Sequence, residues 1–172
     1  MLREFYRLRD LNFSKLMEVY LEGNLENGME QYPDEEPNIQ RIYAEQDFFL
    51  YLEQDFFQPP GAYYCVWVEN GEYCAALRFE PFADGILLEA LETAPKLRRN
   101  GYAKKLMRAA LTSLSEKTSL PVYSHVSKQN IASIRTHMAC GFVKHLDYAV
   151  KIDGSVSDYC YTLVYRRENK TL

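Results

Sequence analysis

The stretch L-E-T-A-P-K-L-R-R-N-G-Y-A-K-K-L-M, residues 91–107, is the most informative in this 172-residue chain. A β-rich run ends in it, a turn with one glycine follows, and strong helix formers begin directly afterwards. Nucleotide phosphates bind at such a junction, because unpaired backbone N–H groups and the positive end of the helix dipole converge there. No G-K-[ST] follows the glycine and no G-x-G-x-x-G is present, which excludes an NTPase phosphate loop and a Rossmann fingerprint. The charges also point to an anion. A cation near a helix N-terminus opposes the macrodipole by about 0.3–1 kcal/mol, yet Arg98, Arg99, Lys104 and Lys105 crowd that end. A bound pyrophosphate makes the arrangement favourable, whereas a helix without a ligand prefers Asp or Glu there.

Outward from this junction the chain reads as a mixed α/β domain. Residues 5–9 alternate as a short first strand, and Asp10 or Asn12 caps a helix carrying Phe13, Leu16, Met17 and Tyr20. Residues 22–38 are punctuated by Gly, Asn and Pro, as in a loop or broken helix. A second helix over 39–57 places Ile42, Phe49, Leu52 and Phe56 on one side and stops at Pro59-Pro60-Gly61. Strands over 62–69 and 72–82 flank Asn70-Gly71, a strong hairpin signal. In that hairpin Cys74 falls opposite Trp67, with Cys65 one diagonal away and poorly placed for a disulfide. A strand over 85–93 leads into the helix over 100–116, whose stripe is Ala103, Leu106, Met107, Ala110, Leu111 and Leu114. A strand over 120–126, a helix over 128–140 capped by Gly141, and strands over 142–152 and 158–165 complete the order. The expectation is a single domain over 1–172, β-α-α-β-β-β-α-β-α-β-β, with about seven mostly antiparallel strands in a mixed central sheet and about four flanking helices.

Composition agrees with a globular chain: 47% apolar, 26% charged, net charge −4. Aromatics reach 14%, with 14 Tyr and 9 Phe, which favours sheet and a polar cleft over a plain helical bundle. No uncharged apolar run approaches the roughly 18–20 residues of a membrane span. Charges in the first ten residues argue against a signal peptide, and four scattered cysteines without C-x-x-C fit a reducing compartment. The expected location is cytoplasmic, with no metal. The small net charge hides two opposed segments: eleven acids against Arg41 alone between Glu18 and Asp55, and six bases without an acid between Lys96 and Arg108. One short basic patch on an acidic chain suits a polyanionic small molecule and not a nucleic acid, though solvated helix surface is the common meaning of charge runs.

Residues P95-K-L-R98-R-N-G101-Y-A103 resemble the R/Q-x-x-G-x-G/A acetyl-CoA signature of the GNAT N-acetyltransferase superfamily. A second stretch, N130-I-A-S133-I-R-T-H137-M-A-C-G141-F142, is similar to that family's N-x-x-A/S-x-x-x-Y-x-x-x-G-F pattern. The resemblance implies a GNAT-like fold and acetyl transfer from acetyl-CoA (coenzyme A) to an amine. It places the pyrophosphate on the backbone N–H groups of Arg99, Asn100, Gly101, Tyr102, Ala103 and Lys104, counts Arg98 among the cofactor-binding residues, and lays the pantetheine arm along Leu91 and Thr93, with Asn130 and Ser133 beside it. Ala103 stands where many relatives have glycine.

Amide formation from a thioester needs a base for the ammonium and an acid, or another stabiliser, for the leaving thiolate. Strand parity puts 87, 89, 91 and 93 on one face, so Glu89 is the candidate base, although the family's frequent Glu falls at Leu87. His137 stands where many relatives carry Tyr and is the candidate acid. Helical spacing groups it with Asn130 and Ser133 toward the cofactor and leaves Ile131, Ile134 and Met138 for the core. Tyr123 and Tyr148 are reserve donors. The acidic segment, with Glu26, Glu30, Asp34, Glu35 and Glu36, forms the expected lip for a cationic small-molecule or peptide amine. The expected assembly is a monomer or homodimer. The competing reading is a CoA-binding sensor or assembly module without turnover.

Overall fold

The computed structural model describes residues 1–166. Its seven-stranded sheet has the order β1-β2-β3-β4-β5-β9-β6, where β1 is Leu2–Phe5, β2 Tyr63–Glu69, β3 Glu72–Phe82, β4 Gly85–Thr93, β5 Val122–Ser127, β6 Val143–Leu146 and β9 Cys160–Tyr165. Among the described residues only β4 and β5 pair in parallel. The expected single final strand pair is interrupted by a small hairpin, β7 (Ala149–Val150) with β8 (Val156–Ser157), around Asp153-Gly154. The first strand begins at Leu2, three residues before its sequence-based start.

Among the described residues five α-helices cover the two faces, one more than expected. On one face lie α1 (Phe13–Val19), α2 (Leu21–Gln31) and α3 (Pro37–Tyr51), the last running into a π turn at Leu52–Phe56. Asn12 caps α1, its side chain accepting from Lys15 N at 3.0 Å. The extra helix is α2, in the stretch read as a loop or broken helix. Its Gly28 lets α3 approach: a Cβ there would meet Gln40 O at 2.6 Å. The glycine that looks like a helix breaker is therefore a contact point between helices. On α3 the expected stripe is only partly right, because Ile42 is exposed while Leu52 and Phe56 are buried.

On the other face lie α4 (Tyr102–Lys117) and α5 (Ile131–Ala139). Leu106, Met107, Ala110, Leu111 and Leu114 of α4 pack on Cys65, Leu77, Phe79 and Leu88. The opposite core joins Leu16, Met17, Val19 and Tyr20 to Tyr64, Val66 and Ala76, with Leu52 and Phe56 behind. The four cysteines are free. The β2–β3 register shifts between Trp67 and Val68, so Ala75, not Cys74, pairs with Trp67. No helix among the described residues is long and apolar enough to cross a membrane.

Candidate active site

Strands β4 and β5 are paired only at Ile86–Val122 and Leu87–Tyr123 among the described residues. Beyond Leu87 the β5-side backbone edge of β4 is open to an added extended chain. At this opening β4 bulges. Arg78 pairs with Glu89 and Ala76 with Glu92, and Ala90 takes φ 51 between them. The Tyr20 hydroxyl donates to the Ala90 carbonyl at 2.7 Å and holds the bulge.

The bulge corrects the parity expectation. Leu88 packs on α4 and Leu91 lies beside that core, whereas Ala90 packs with the α1–α3 side. The extra residue turns 91 and 93 onto the α4 face and leaves Glu89 on the other. Glu89 and Leu91 therefore do not share a face.

A cleft of about 730 Å³ lies where β4, the loop before α4 and the start of α5 meet. Leu91, Thr93, Arg98, Arg99, Gly101, Tyr102, Ala103, Lys104, Asn130 and Ser133 all line it, joined by Ala132 and Thr136. The backbone conformation and charge of the loop suit an anion. Arg99 has φ 65, Gly101 has φ 77, and α4 has no acid in its first turn. A Cβ on Gly101 would meet nothing within 4 Å, so the space beside it is free for a ligand. Asn100 does not line the cleft; its amide donates to the Leu97 and Arg98 carbonyls at 3.1 and 3.3 Å and fixes the loop. The Asn130 Oδ1 accepts from Ser133 N at 2.9 Å and caps α5. Its amide NH2 remains as a donor. The Tyr102 hydroxyl binds Glu69 instead of the cleft.

Acids also line this cleft, among them Glu26, which was expected on the acceptor lip. Glu22 and Glu26 of α2 and Glu92 of β4 border it. Arg98 pairs with Glu22 at 2.5 Å and stands 3.9 Å from Glu92. Part of the acidic segment thus faces the basic loop and not only an acceptor lip. The opposite signs of residues 18–55 and 96–108 were the available signal.

His137 corrects a second expectation. It is 2% exposed and absent from the cleft, while Ile131 and Met138, assigned to the core, are each 51% exposed. Its Nδ1 lies 2.8 Å from the Ser133 carbonyl, which can only accept, so Nδ1 carries the proton. Nε2 then accepts from the Ser124 hydroxyl at 3.0 Å. The ring packs edge-on to Phe142 at 5.1 Å. Helix α5 is rotated so that His137 and, of the expected apolar stripe, Ile134 face the sheet, whereas Ile131 and Met138 do not. Burial lowers the His137 pKa, with its bond to Ser133 opposing the shift, which favours the neutral ring. The ring ties α5 to β5 and is not available as the acid in this arrangement.

On the opposite face, Glu89 Oε1 accepts from Arg78 Nε at 2.6 Å. Burial raises the Glu89 pKa, but bonds to Glu80 and Arg78 outweigh it and leave the carboxyl below its ordinary value. Glu80 and His125 share this face, and neither was singled out from the sequence. Tyr123 donates to Asp84 at 2.9 Å on that side, and Tyr148 is 40% exposed. A smaller cleft of about 360 Å³ between α2, α3 and β4 contains Tyr20, Asp47, Tyr51 and Arg78. It shares Gly23 and Glu92 with the larger cleft, so the two meet at the end of β4. Among the described residues no group of three or more His, Cys, Asp or Glu could hold a metal ion.

Comparisons with known proteins agree with this geometry. The profile of the acetyltransferase (GNAT) family matches residues 24–142. No match to a curated protein reaches significance. The fold is similar to that of the PaiA N-acetyltransferase from Thermoplasma acidophilum, solved in complex with coenzyme A (TM-score 0.65, 12% identity, 97% of this chain and 99% of that chain). It is also similar to aminoglycoside 6′-acetyltransferase type Ii (TM-score 0.63, 12% identity, 96% of each chain). A third similar structure is the ribosomal-protein-S18-alanine N-acetyltransferase from Escherichia coli (TM-score 0.54, 17% identity, 74% of this chain and 81% of that chain).

Proposed function

Because the chain belongs to the acetyltransferase (GNAT) family, we propose that it transfers the acetyl group of acetyl-CoA to an amine. The observation that carries this reading is the cleft itself. An αL-rich basic loop opens a helix at one end, and an unpaired strand edge runs from it toward the β4 bulge. The backbone of residues 99–104 would hold the pyrophosphate, with Arg98, Arg99 and Lys104 balancing its charge. Leu91 and Thr93 would hold the pantetheine amides through their main chains, and the Asn130 amide would donate to the arm. The free space at Gly101 supports that fit, since any side chain would enter it. The bound donor supplies an activated acyl thioester; the protein supplies position and proton transfer.

Glu89 is the base in this reading. It stands one residue before the bulge on the face opposite the cofactor loop, so the acceptor approaches from the α1–α3 side. The cleft on that side contains Asp47 and Glu92, whose carboxylates favour a small cationic amine or a positively charged peptide end. For the departing thiolate, the positive end of the α5 dipole and the Ser133 hydroxyl, both on the cleft wall, are the stabilising groups in place of His137. Free cysteines fit the cytoplasm, and the reading requires only one domain, as a monomer or homodimer. The test is thiol release from acetyl-CoA with a panel of amines and peptides, with mass spectrometry of the product. An acetylated amine carries the reading; CoA binding without transfer to any amine overturns it in favour of a binding module.

A further inference from the structure

On the face of the sheet turned to α1–α3, the pairing of β3 with β4 brings the carboxyls of Glu80 and Glu89 beside the guanidinium of Arg78. Register places Arg78 opposite Glu89 and Glu80 opposite Leu87, so Glu80 and Glu89 are diagonal neighbours on adjacent strands. Arg78 is fixed: it donates to Glu89 and its guanidinium lies 5.0 and 5.1 Å from the Tyr51 and Phe56 ring centres. Glu80 is 8% exposed and meets the carboxyl of Glu89, while its own Oε1 is buried without a hydrogen-bond partner. Two carboxylates in contact beside one guanidinium cannot both ionise cheaply at low dielectric. One proton held between them satisfies the contact and makes the cluster with Arg78 neutral.

We propose that Glu80 and Glu89 work as one proton-sharing pair, in which Glu80 is the positioning residue that sets when Glu89 can take the proton of the acceptor ammonium. This rests on the reading of Glu89 as the base of an acetyltransferase. In the resting pair one proton and one negative charge are shared beside Arg78. Release of that proton to solvent gives the base form, with net charge −1. One N–H bond of the bound ammonium then breaks and an O–H bond forms on the pair, which returns to neutral. The freed nitrogen lone pair forms the C–N bond as the C–S bond breaks, and that bonding pair leaves with sulfur. A second N–H bond breaks as its proton passes to the thiolate, which gives a neutral amide and the CoA thiol. A cationic acceptor offsets the charge of the base form, so the pair selects ammonium substrates by the same balance that activates them.

The surroundings single out this pair. Burial and Glu89 push the Glu80 carboxyl up to about 8. Tyr51 on α3 is raised by burial to about 12, and Tyr20 beyond α1 and Tyr64 on β2 are raised as well. His125 on β5 is lowered by burial, and Arg78 stays charged. Glu92 on β4, also raised by burial, is the remaining carboxyl to separate, and Glu92→Gln does so.

The experiment has two arms on the full chain. In the first, ¹³C NMR follows the glutamate side-chain carboxyls with pH. One carboxyl titrating near 8 is expected, lost in Glu80→Gln and kept in Glu92→Gln. If every wild-type glutamate titrates below about pH 6, within the ordinary carboxyl range, the pair does not exist. In the second, kcat/KM is followed with an unacetylated amine that the protein accepts as substrate and that binds as the ammonium. The wild-type value should rise about tenfold per unit toward pH 8, and Glu80→Gln should lose that limb. An unchanged limb in Glu80→Gln overturns the role of Glu80 even where the carboxyl signal is present. If no amine is acetylated, the transferase reading fails, and with it the base role, while the NMR arm still decides whether the pair forms.

Discussion

Replacement of His137 by alanine is expected to destabilise the protein. The ring accepts from the buried Ser124 hydroxyl and donates to the Ser133 carbonyl, so truncation leaves a buried hydroxyl without its acceptor. That loss costs about 1–3 kcal/mol. Removing a ring packed against Phe142 adds about 2–3 kcal/mol for lost contacts and the cavity. Together these give about 3–6 kcal/mol, and for a chain of this length each kcal/mol lowers Tm by about 2–4 °C. Calorimetric melting of the two proteins near neutral pH reads the difference. Acidity gives an independent check. The folded pKa of His137 lies below its ordinary value of 6.5, so the unfolded chain takes up the proton first as pH falls. In the window between the lowered value and 6.5 the unfolded state binds more protons, and wild-type stability falls with falling pH. The variant lacks this contribution, although His125, also lowered, keeps its own in both proteins. The gap between wild type and variant should therefore narrow below about pH 6.5. An alanine variant with wild-type Tm, or a gap that widens on acidification, would refute a structural role for this histidine.

Two electrostatic perturbations test the surroundings of the clefts. Glu22→Gln removes a competitor for Arg98 and should tighten CoA binding by up to about fivefold, within the range of an exposed ion pair. Unchanged affinity at low salt would mean that Arg98 does not reach the ligand. Neutralising the exposed Asp34, Glu35 and Glu36 together should flatten the salt dependence of kcat/KM for a cationic acceptor. A wild-type rate insensitive to salt would reduce these acids to solvated surface.

Local signals were legible in the sequence wherever one element carried them. The loop before α4, the Asn70-Gly71 hairpin and the α4 stripe are each set by neighbouring residues, and each stands where the sequence put it. The features that were missed depend on partners far along the chain. The bulge sits on alanine and not glycine, and it is held by Tyr20, seventy residues earlier. One inserted residue reverses the faces of everything after it, so simple alternation through β4 failed at Ala90. Helix α2 contains Gly23, Asn24, Asn27 and Gly28, poor helix formers whose fit depends on packing against α3. The orientation of α5 was decided by a buried hydroxyl on β5, and hydrophobic spacing gave no sign of it. Glu80 escaped notice because its significance is a diagonal contact across two strands.

The most direct measurement is a calorimetric titration of CoA into the wild-type protein and into Gly101→Glu. The open space at Gly101 accommodates a glutamate whose carboxylate projects where the pyrophosphate would lie. The αL backbone there costs a side chain about 1–2 kcal/mol, so a melting curve first establishes that the variant is folded. Saturable binding to the wild type, lost in the folded variant, is the expected result. Equal binding by both proteins, or none by the wild type, would contradict the assignment of this loop as the cofactor cradle.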